Sequence, residues 1–403
     1  MALQLRKMLQ KGMSIAVLVP LLSMTFLLTG CWDRTELNDL AIVTAVAIDK
    51  AEGSGITLTL QFANPSQMGG QQGSEGGGGS GKKPTITKQA EGETIFEAMS
   101  FIQQQLSRNI FWGHNQALII GKEVAKEGVQ PYVDFFAHHP DPRLRSYVYV
   151  SEGKAAEVLR LLPQLEPSSG DIARELAKLK TGMSVTIKEL LQMLNSDAGS
   201  AALPKVLPIF EENEKGGLQI TGTAVFKNEK MIGSIDEEVT RGVLWLRDEI
   251  HLAAVKLSPD NTEGFISFNL IRSHTKLVPK IENGIWEMQV NIVAEDDIVE
   301  NQTNLQLTDP QIIQQLEELL GEKVEERIYM ALNDVQQELK TDILGFADAF
   351  HRKYPAEWDA VEDDWEEKFL EVKVTINSKV YIKRLGMSVA PQGVPKEEVK
   401  RTE

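Results

Sequence analysis

The sequence predicts a multidomain α+β protein of mixed and antiparallel sheets with packed helices. Three observations carry this. At 403 residues, 42% hydrophobic and 25% charged, the chain has a globular balance and room for two or three domains. Residues 40–198 mix β-branched apolar runs with segments of helical period. After about residue 199 the pattern turns to strands, with a β-meander followed by one long helix.

Taken in order, residues 40–48 (LAIVTAVAI) form a nearly continuous apolar run, the pattern of a strand buried on both faces. Residues 56–62 (ITLTLQF) alternate and pair with it across a turn holding Gly53 and Gly55. Residues 64–83 include eight glycines, at 69, 70, 73, 76, 77, 78, 79 and 81, and read as a flexible loop before a further β-like stretch. Thr94-Ile95-Phe96-Glu97 is a capping box, and Ile95, Met99, Ile102 and Leu106 then recur at helical spacing. A short strand at 117–120, helical stretches at 122–127 and 129–139, a strand at 147–150 and a helix at 155–162 follow. Helices at 171–180 and 187–194 complete the first half, the latter opened by the capping box Thr186-Ile187-Lys188-Glu189.

Residues 196–200 (SDAGS) mark a boundary. Beyond it, 218–226 and 230–235 make a hairpin around Asn228. Segments 265–271, 276–281 and 285–294 make the meander, with Asn283-Gly284 as the strongest hairpin signal. Asp309-Pro310 starts a helix whose apolar face runs from Ile312 to Leu339, with Gly321 as a point of bending. Trp358 and Trp365 lie in a short acidic helical segment, and 369–376 (FLEVKVTI) alternates as a closing strand. The expected organisation is therefore a leader (1–30), an N-terminal α+β domain (31–198), a C-terminal α+β domain (199–385) that divides further in one reading, and a loose tail (386–403).

The net charge of −16 disfavours nonspecific binding to nucleic acid or to an anionic membrane. Most of it lies after residue 200. The single cysteine, Cys31, excludes an intramolecular disulfide and any Cys-rich metal site. Its setting is informative: Arg6, Lys7 and Lys11 precede the apolar run 13–28, which ends in Leu28-Thr29-Gly30-Cys31. That is the layout of a secretory leader, and the run is short against the ~20 residues a spanning helix needs. The last four residues resemble the lipobox of bacterial lipoproteins, in which the cysteine thiol takes a diacylglyceryl group and becomes the mature N-terminus. Two acyl chains, at ~0.8 kcal/mol per buried methylene, hold a protein on a membrane where one chain holds it only marginally.

No motif points to catalysis. Gly76 to Lys82 satisfies the spacing of a phosphate loop, but Lys83 and Pro84 follow where Ser or Thr and a helix are needed, so low complexity explains the match. None of the six histidines forms H-E-x-x-H. Asp134, His138, His139 and Asp141 cluster, either as a solvated helix end before Pro140 or as part of a metal site. Eight carboxylates between Glu357 and Glu371 lack the spacing of a calcium loop and read as a solvated helix face. Residues 108–115 (RNIFWGHN) form a polar-aromatic cluster, read as a structural turn ahead of a binding element.

Several blocks together resemble the Ger(x)C lipoproteins, the C subunits of spore-germination nutrient receptors. They are Cys31-Trp32-Asp33-Arg34-Thr35-Glu36-Leu37-Asn38-Asp39-Leu40 with the following AIVTAVAID, Glu93 to Ala98, IFWGHNQALIIG at 110–121, ITGTAVFKNEKMIGSI at 220–235, Arg241-Gly242-Val243-Leu244-Trp245-Leu246, and Tyr354-Pro355 with Trp358 before Trp365. Two departures stand out: the glycine-rich insertion, and Asp342-Ile343-Leu344-Gly345-Phe346-Ala347, where Ala347 replaces the glycine that ends the family's D-x-x-G-F-G stretch. The resemblance implies a lipoprotein on the outer face of the spore inner membrane. It also implies work with the A and B subunits of a germinant receptor, no enzymatic activity and no cofactor. A lipid-anchored solute-binding protein is the alternative. Trp32, Asp33, Glu36 and Leu37, between the lipid and the first strand, either dock this subunit on its partners or order the chain entering that strand.

Overall fold

In the computed structural model, residues 36–64, 84–211, 215–259 and 262–386 are described. Strand β1 (Leu40–Lys50) lies inside the larger sheet. It pairs antiparallel with β2 (Ile56–Ala63) on one side, and on the other runs parallel first to β4 (Asn109–Phe111), then to β5 (Ala117–Gly121). Helices cover both faces of the sheet at this strand, which leaves it no solvent face, and its sequence is accordingly apolar throughout rather than alternating. The order of the sheet is β3-β2-β1-β5-β6-β7-β8-β9, with β3 (Thr85–Gly92), β6 (Tyr147–Ser151), β7 (Ser200–Phe210), β8 (Gly216–Lys227) and β9 (Lys230–Ile235). The backbone of Asn64 donates to the Pro84 carbonyl at 2.9 Å, so the sheet ladder closes across the base of the glycine-rich segment, which itself lies outside the described residues.

The two sides of β1 differ in bulk. Val46 and Ile48 face the main core, with α1 (Ile95–Gln104), α2 (Lys122–Glu127), α3 (Gln130–His138) and α6 (Ile187–Leu194) contributing to it. Ala45 and Ala47 face α4 (Ala155–Arg160) and α5 (Ser169–Leu179). Small residues there let α5 approach so closely that a Cβ on Gly170 would lie 2.4 Å from the Thr44 carbonyl oxygen. The capping box on α6 forms in full, Thr186 and Glu189 each bonding the other's backbone.

The division expected at 198/199 cuts this sheet. Strands β7 to β9 follow that point in the chain yet join the first sheet, because β7 pairs in parallel with β6 through Val150–Lys205 and Ser151–Val206. No strand is expected from the sequence over β7, whose apolar run contains Pro204 and Pro208. This strand is paired over its whole length with β8 but with β6 only at Lys205 and Val206, so neither proline lies opposite β6. The sheet changes only after α7 (Glu237–Leu246), a helix that contains the family-like block Arg241 to Leu246.

The second sheet has the order β10-β11-β12-β13, with β10 (Ala254–Leu257), β11 (Ile266–Glu282), β12 (Ile285–Asn301) and β13 (Lys373–Arg384). The first three form the antiparallel meander. The segments expected at 265–271 and 276–281 are one strand, because the polar residues between them tolerate the solvated face of an open sheet. Asn283 and Gly284 take φ of 52° and 76°, as a tight hairpin turn requires. Helix α8 (Pro310–Leu332) lies along β13. Gly321, expected as a bend, instead admits the strand, since a Cβ there would lie 3.0 Å from Ser378 Oγ. Glu317 accepts from the Ile382 N–H at 2.8 Å and Glu325 from the Ser378 hydroxyl at 2.7 Å, which ties the strand to the helix.

After α9 (Phe346–Lys353) and α10 (Pro355–Trp358), the closing strand starts later than residue 369. Trp365–Glu371 is helix α11, whose i,i+4 pair Trp365 and Phe369 is buried and whose first turn carries Glu366 and Glu367, a placement that suits a helix N-terminus. Of the β12 residues turned inward, Asp296 is the anomaly. Burial, with the neighbouring Asp297 charge, pushes its pKa up to about 6. A folded-state pKa above the unfolded one means that the native state binds the extra proton, so stability is lost as pH rises from about 4 to about 6. Asp296→Asn is expected to stabilise the protein at pH 7 by roughly 2–3 kcal/mol and to give no gain at pH 4, checked by urea unfolding at both pH values.

Candidate functional site: the cleft between the sheets

Helix α7 joins the two sheets and ends at their junction. Its last residue Leu246 with the following Arg247 to Glu249, Gln192 and Met193 of α6 with Ser196 and Ala198 beyond it, Thr275 and Leu277 of β11, and Asp342 to Gly345 with Asp348 surround a cleft. Two adjoining cavities of about 500 and about 430 Å3 share Gln192, Met193, Arg247 and Glu249. Arg247 spans the cleft. Its guanidinium donates to Glu249 Oε1 at 3.0 Å and to the Ile343 carbonyl at 2.8 Å. Asp248, at φ 58°, accepts from the Thr275 N–H at 2.7 Å and lies 3.0 Å from His274 Nδ1. His351 Nδ1 meets Asp197 Oδ2 at 2.7 Å, and its ring stacks on Trp358.

The Asp342 turn is the most highly bonded feature here. Asp342 Oδ1 accepts from the backbone N–H groups of Leu344, Gly345 and Phe346 at 3.0, 3.1 and 3.2 Å; Oδ2 accepts from Ala347 N–H at 2.7 Å and Trp365 Nε1 at 3.2 Å. The carboxylate thereby satisfies N–H groups at the start of α9 that have no partner within the helix. Burial raises its pKa while the donors pull it back down. Gly345 takes the left-handed conformation at φ 81°, which a side chain disfavours. Ala347 lies within α9, so the alanine that departs from the family pattern needs no special backbone. The sequence signal for this turn was the D-x-x-G-F-like stretch, although nothing local indicated that Trp365 would complete it.

Cys31, Trp32 and Asp33 lie outside the described residues. Glu36 is exposed, and its carbonyl accepts from the Asp39 N–H at 3.0 Å to open a 3-10 turn, Leu37–Asp39, that leads into β1. The histidine–aspartate cluster is a solvated helix end: His138 Nδ1 lies 3.3 Å from Asp134 Oδ1, whereas the His139 ring turns onto Phe135 and Trp112. Among the described residues no group of three or more His, Cys, Asp or Glu side chains is placed to hold a metal ion. Trp112 is buried edge-on against Phe136 at 6.0 Å, and the Asn115 carbonyl accepts from the Ser146 hydroxyl at 2.8 Å, so the cluster at 108–115 serves packing. No described helix is long and apolar enough to cross a membrane.

Two sheets sharing one continuous core, with their junction clamped by side chains and a buried carboxylate turn, define a two-sheet α+β protein. Residues 33–207 match the family Spore germination protein N-terminal domain, and residues 221–386 match Spore germination B3/GerAC like, C-terminal. The chain belongs to this Ger(x)C family. It is 28% identical over 394 residues to Spore germination protein KC of Bacillus subtilis (strain 168), covering 93% of this chain and 96% of that one. It is 30% identical over 373 residues to YfkR of the same organism, covering 92% and 96%. With Spore germination protein B3, also of that organism, it shares 25% over 366 residues, covering 89% and 95%. The crystal structure of the GerBC protein has the same fold, with a TM-score of 0.52 at 19% identity over 84% of this chain and 96% of that chain.

Proposed function

We propose that this chain is the C subunit of a nutrient germinant receptor. In this reading it is anchored through a lipid on Cys31 to the outer face of the spore inner membrane and acts by protein–protein interaction with the A and B subunits. The observation that carries the reading is the family match over nearly the whole chain, joined to Leu28-Thr29-Gly30-Cys31 after a basic, apolar leader. An anchor answers a physical need, since an acidic protein has no electrostatic attraction to an acidic membrane surface. Cys31→Ala is expected to abolish lipid labelling and to leave the protein unprocessed or displaced from the membrane fraction. Normal labelling and maturation of that variant would overturn the anchor.

The segment between lipid and β1, with Trp32, Asp33, Glu36 and Leu37, is the proposed docking element: a tryptophan beside acyl chains suits the headgroup level, and Asp33 and Glu36 supply the charges for the A or B subunit. Reversing both charges, Asp33→Lys with Glu36→Lys, is expected to reduce recovery of the A and B subunits with the tagged protein while leaving its thermal unfolding unchanged. Full recovery excludes docking. A lowered melting temperature assigns the residues to ordering the entry to β1.

A further inference from the structure

The second sheet has a covered side and an open one. On the covered side Trp286 of β12 meets Phe350 of α9 and Trp365 of α11. On the other side Val293 and Tyr381 are exposed, and among the described residues no helix lies over them. The register of β11, β12 and β13 sets Lys276 beside Asn291 and Asn377, Lys379 beside Val293, and Lys280 and Lys373 on either side of Glu287. Arg272 and Lys383 share Glu295, Arg384 meets Asp297, and Glu282 stands at the rim. Lys276, Lys280, Lys373 and Lys379 have no carboxylate within 4.0 Å among the described residues. In a chain of net charge −16, the open side therefore carries an excess of positive charge. The helices on the covered side carry the opposite sign. Glu357, Asp359, Glu362, Asp363, Asp364 and Glu367 are exposed with no cation within 4.0 Å among the described residues, while Glu366 and Glu371 meet Lys227 and Lys368. Helix α11 turns Trp365 and Phe369 into the core, so its carboxylates face away from the sheet.

We propose that copies of this chain associate front to back, the lysine-bearing open face of the second sheet in one copy against the carboxylate-bearing helical face at residues 357–371 in the next. Each face holds unpaired like charges, and a face of opposite sign relieves both at once. Charge decides the occupant: an anionic membrane would answer the lysines alone and leave the acidic helices uncompensated, whereas a second copy answers both. Repulsion between two copies of net charge −16 acts at long range and is screened beyond a Debye length of ~8 Å at physiological salt, while charges in contact lie within that distance. Because the two patches differ, the contact is heterologous and repeats from copy to copy instead of pairing one patch with itself. Exposed ion pairs are individually weak, so the association is weak and salt-sensitive. The inference goes beyond the receptor reading, and its test needs neither the lipid nor partner subunits.

The test follows the purified mature chain, made without its lipid, by sedimentation velocity over a concentration series. Self-association is expected at ~0.15 M salt and is expected to weaken about tenfold or more at ~1 M salt. Lys276→Glu with Lys379→Glu, and separately Glu362→Lys with Asp363→Lys, are each expected to weaken it about tenfold, with thermal unfolding confirming that both variants fold. Mixing the two variants is expected to restore association, since each then meets an opposite face on the other. In the wild-type chain, carbodiimide coupling of isotopically light and heavy copies is expected to join Lys276 or Lys379 of one copy to carboxylates at residues 357–367 of another, which keeps the proposal testable if a variant does not fold. A monomer at every concentration, association indifferent to salt or to both variants, no recovery on mixing, or cross-links confined to other surfaces would overturn it. Binding to phosphatidylglycerol vesicles that requires Lys276 and Lys379, without self-association, would overturn it too and give the face to the membrane.

Discussion

Replacing Asp342 by Ala is expected to lower the free energy of unfolding by roughly 3–5 kcal/mol, among the largest effects of any single change to this chain. Five donors lose one acceptor together, four from the backbone at the start of α9 and one from Trp365. The turn is buried, so water does not readily replace the carboxylate, and each unmet N–H carries its own desolvation cost. Asp342→Asn keeps one acceptor oxygen but brings an amide group among donors, so an intermediate loss is expected. The turn also presents the Ile343 carbonyl to Arg247, so the alanine variant is expected to loosen the cleft. Urea unfolding followed by tryptophan fluorescence measures the first effect, and amide exchange at residues 343–348 the second. A loss below about 1 kcal/mol in the alanine variant would show that the turn is held by other contacts.

Gly242→Leu is expected to prevent stable folding, and Gly242→Ala to cost about 1–3 kcal/mol. Helix α7 crosses α8 at this glycine, where a Cβ would lie 2.3 Å from the Arg327 carbonyl oxygen and 2.6 Å from Ala331 Cβ. Two effects oppose one another in the alanine variant. Glycine inside a helix is less favourable than alanine by about 1 kcal/mol, which favours the substitution. The steric cost prevails because the first obstacle is backbone, which yields only if the two helices separate and the core between them reopens. Thermal unfolding decides: a melting temperature equal to or above that of the wild type in Gly242→Ala would show that the helices give way easily. The family-like block Arg241 to Leu246 thus marks a helix crossing, with Trp245 and Leu246 buried on it.

Much of this molecule was legible in its sequence where the signal is local. The continuous apolar run at 40–48 announced a strand without a solvent face, Thr186 and Glu189 announced a helix start, and Asn283-Gly284 announced a hairpin. Each depends on periodicity or on backbone preferences within a few residues. Where two local signals competed, the reading failed: Phe369 alternates with its neighbours as a strand residue does, yet it also stands four residues after Trp365. The helical pairing prevails because both rings reach the same core, with Trp365 and Phe369 6.1 Å apart. Strand β7 is missing from the expected elements for a related reason: whether a strand tolerates its prolines depends on which neighbour it has, and β6 lies some fifty residues earlier in the chain.

The sequence by itself determined the classes of element, the acidic surface, the expectation of an anchored N-terminus and the family. Tertiary structure alone decided that β7 to β9 extend the first sheet, that Gly242 and Gly321 are points of close approach, and that Asp342 receives Trp365. It alone also brought Thr275, Asp348 and Met193 around one cavity. The physical reason is range. Helical and strand periods, caps and turns are fixed by interactions among neighbours in the chain, whereas a sheet partner, a helix crossing or a cleft lining is fixed by which distant surfaces bury together, and hydrophobic burial is non-directional. A pattern of apolar residues states that a face must be covered; only the packed chain states by what.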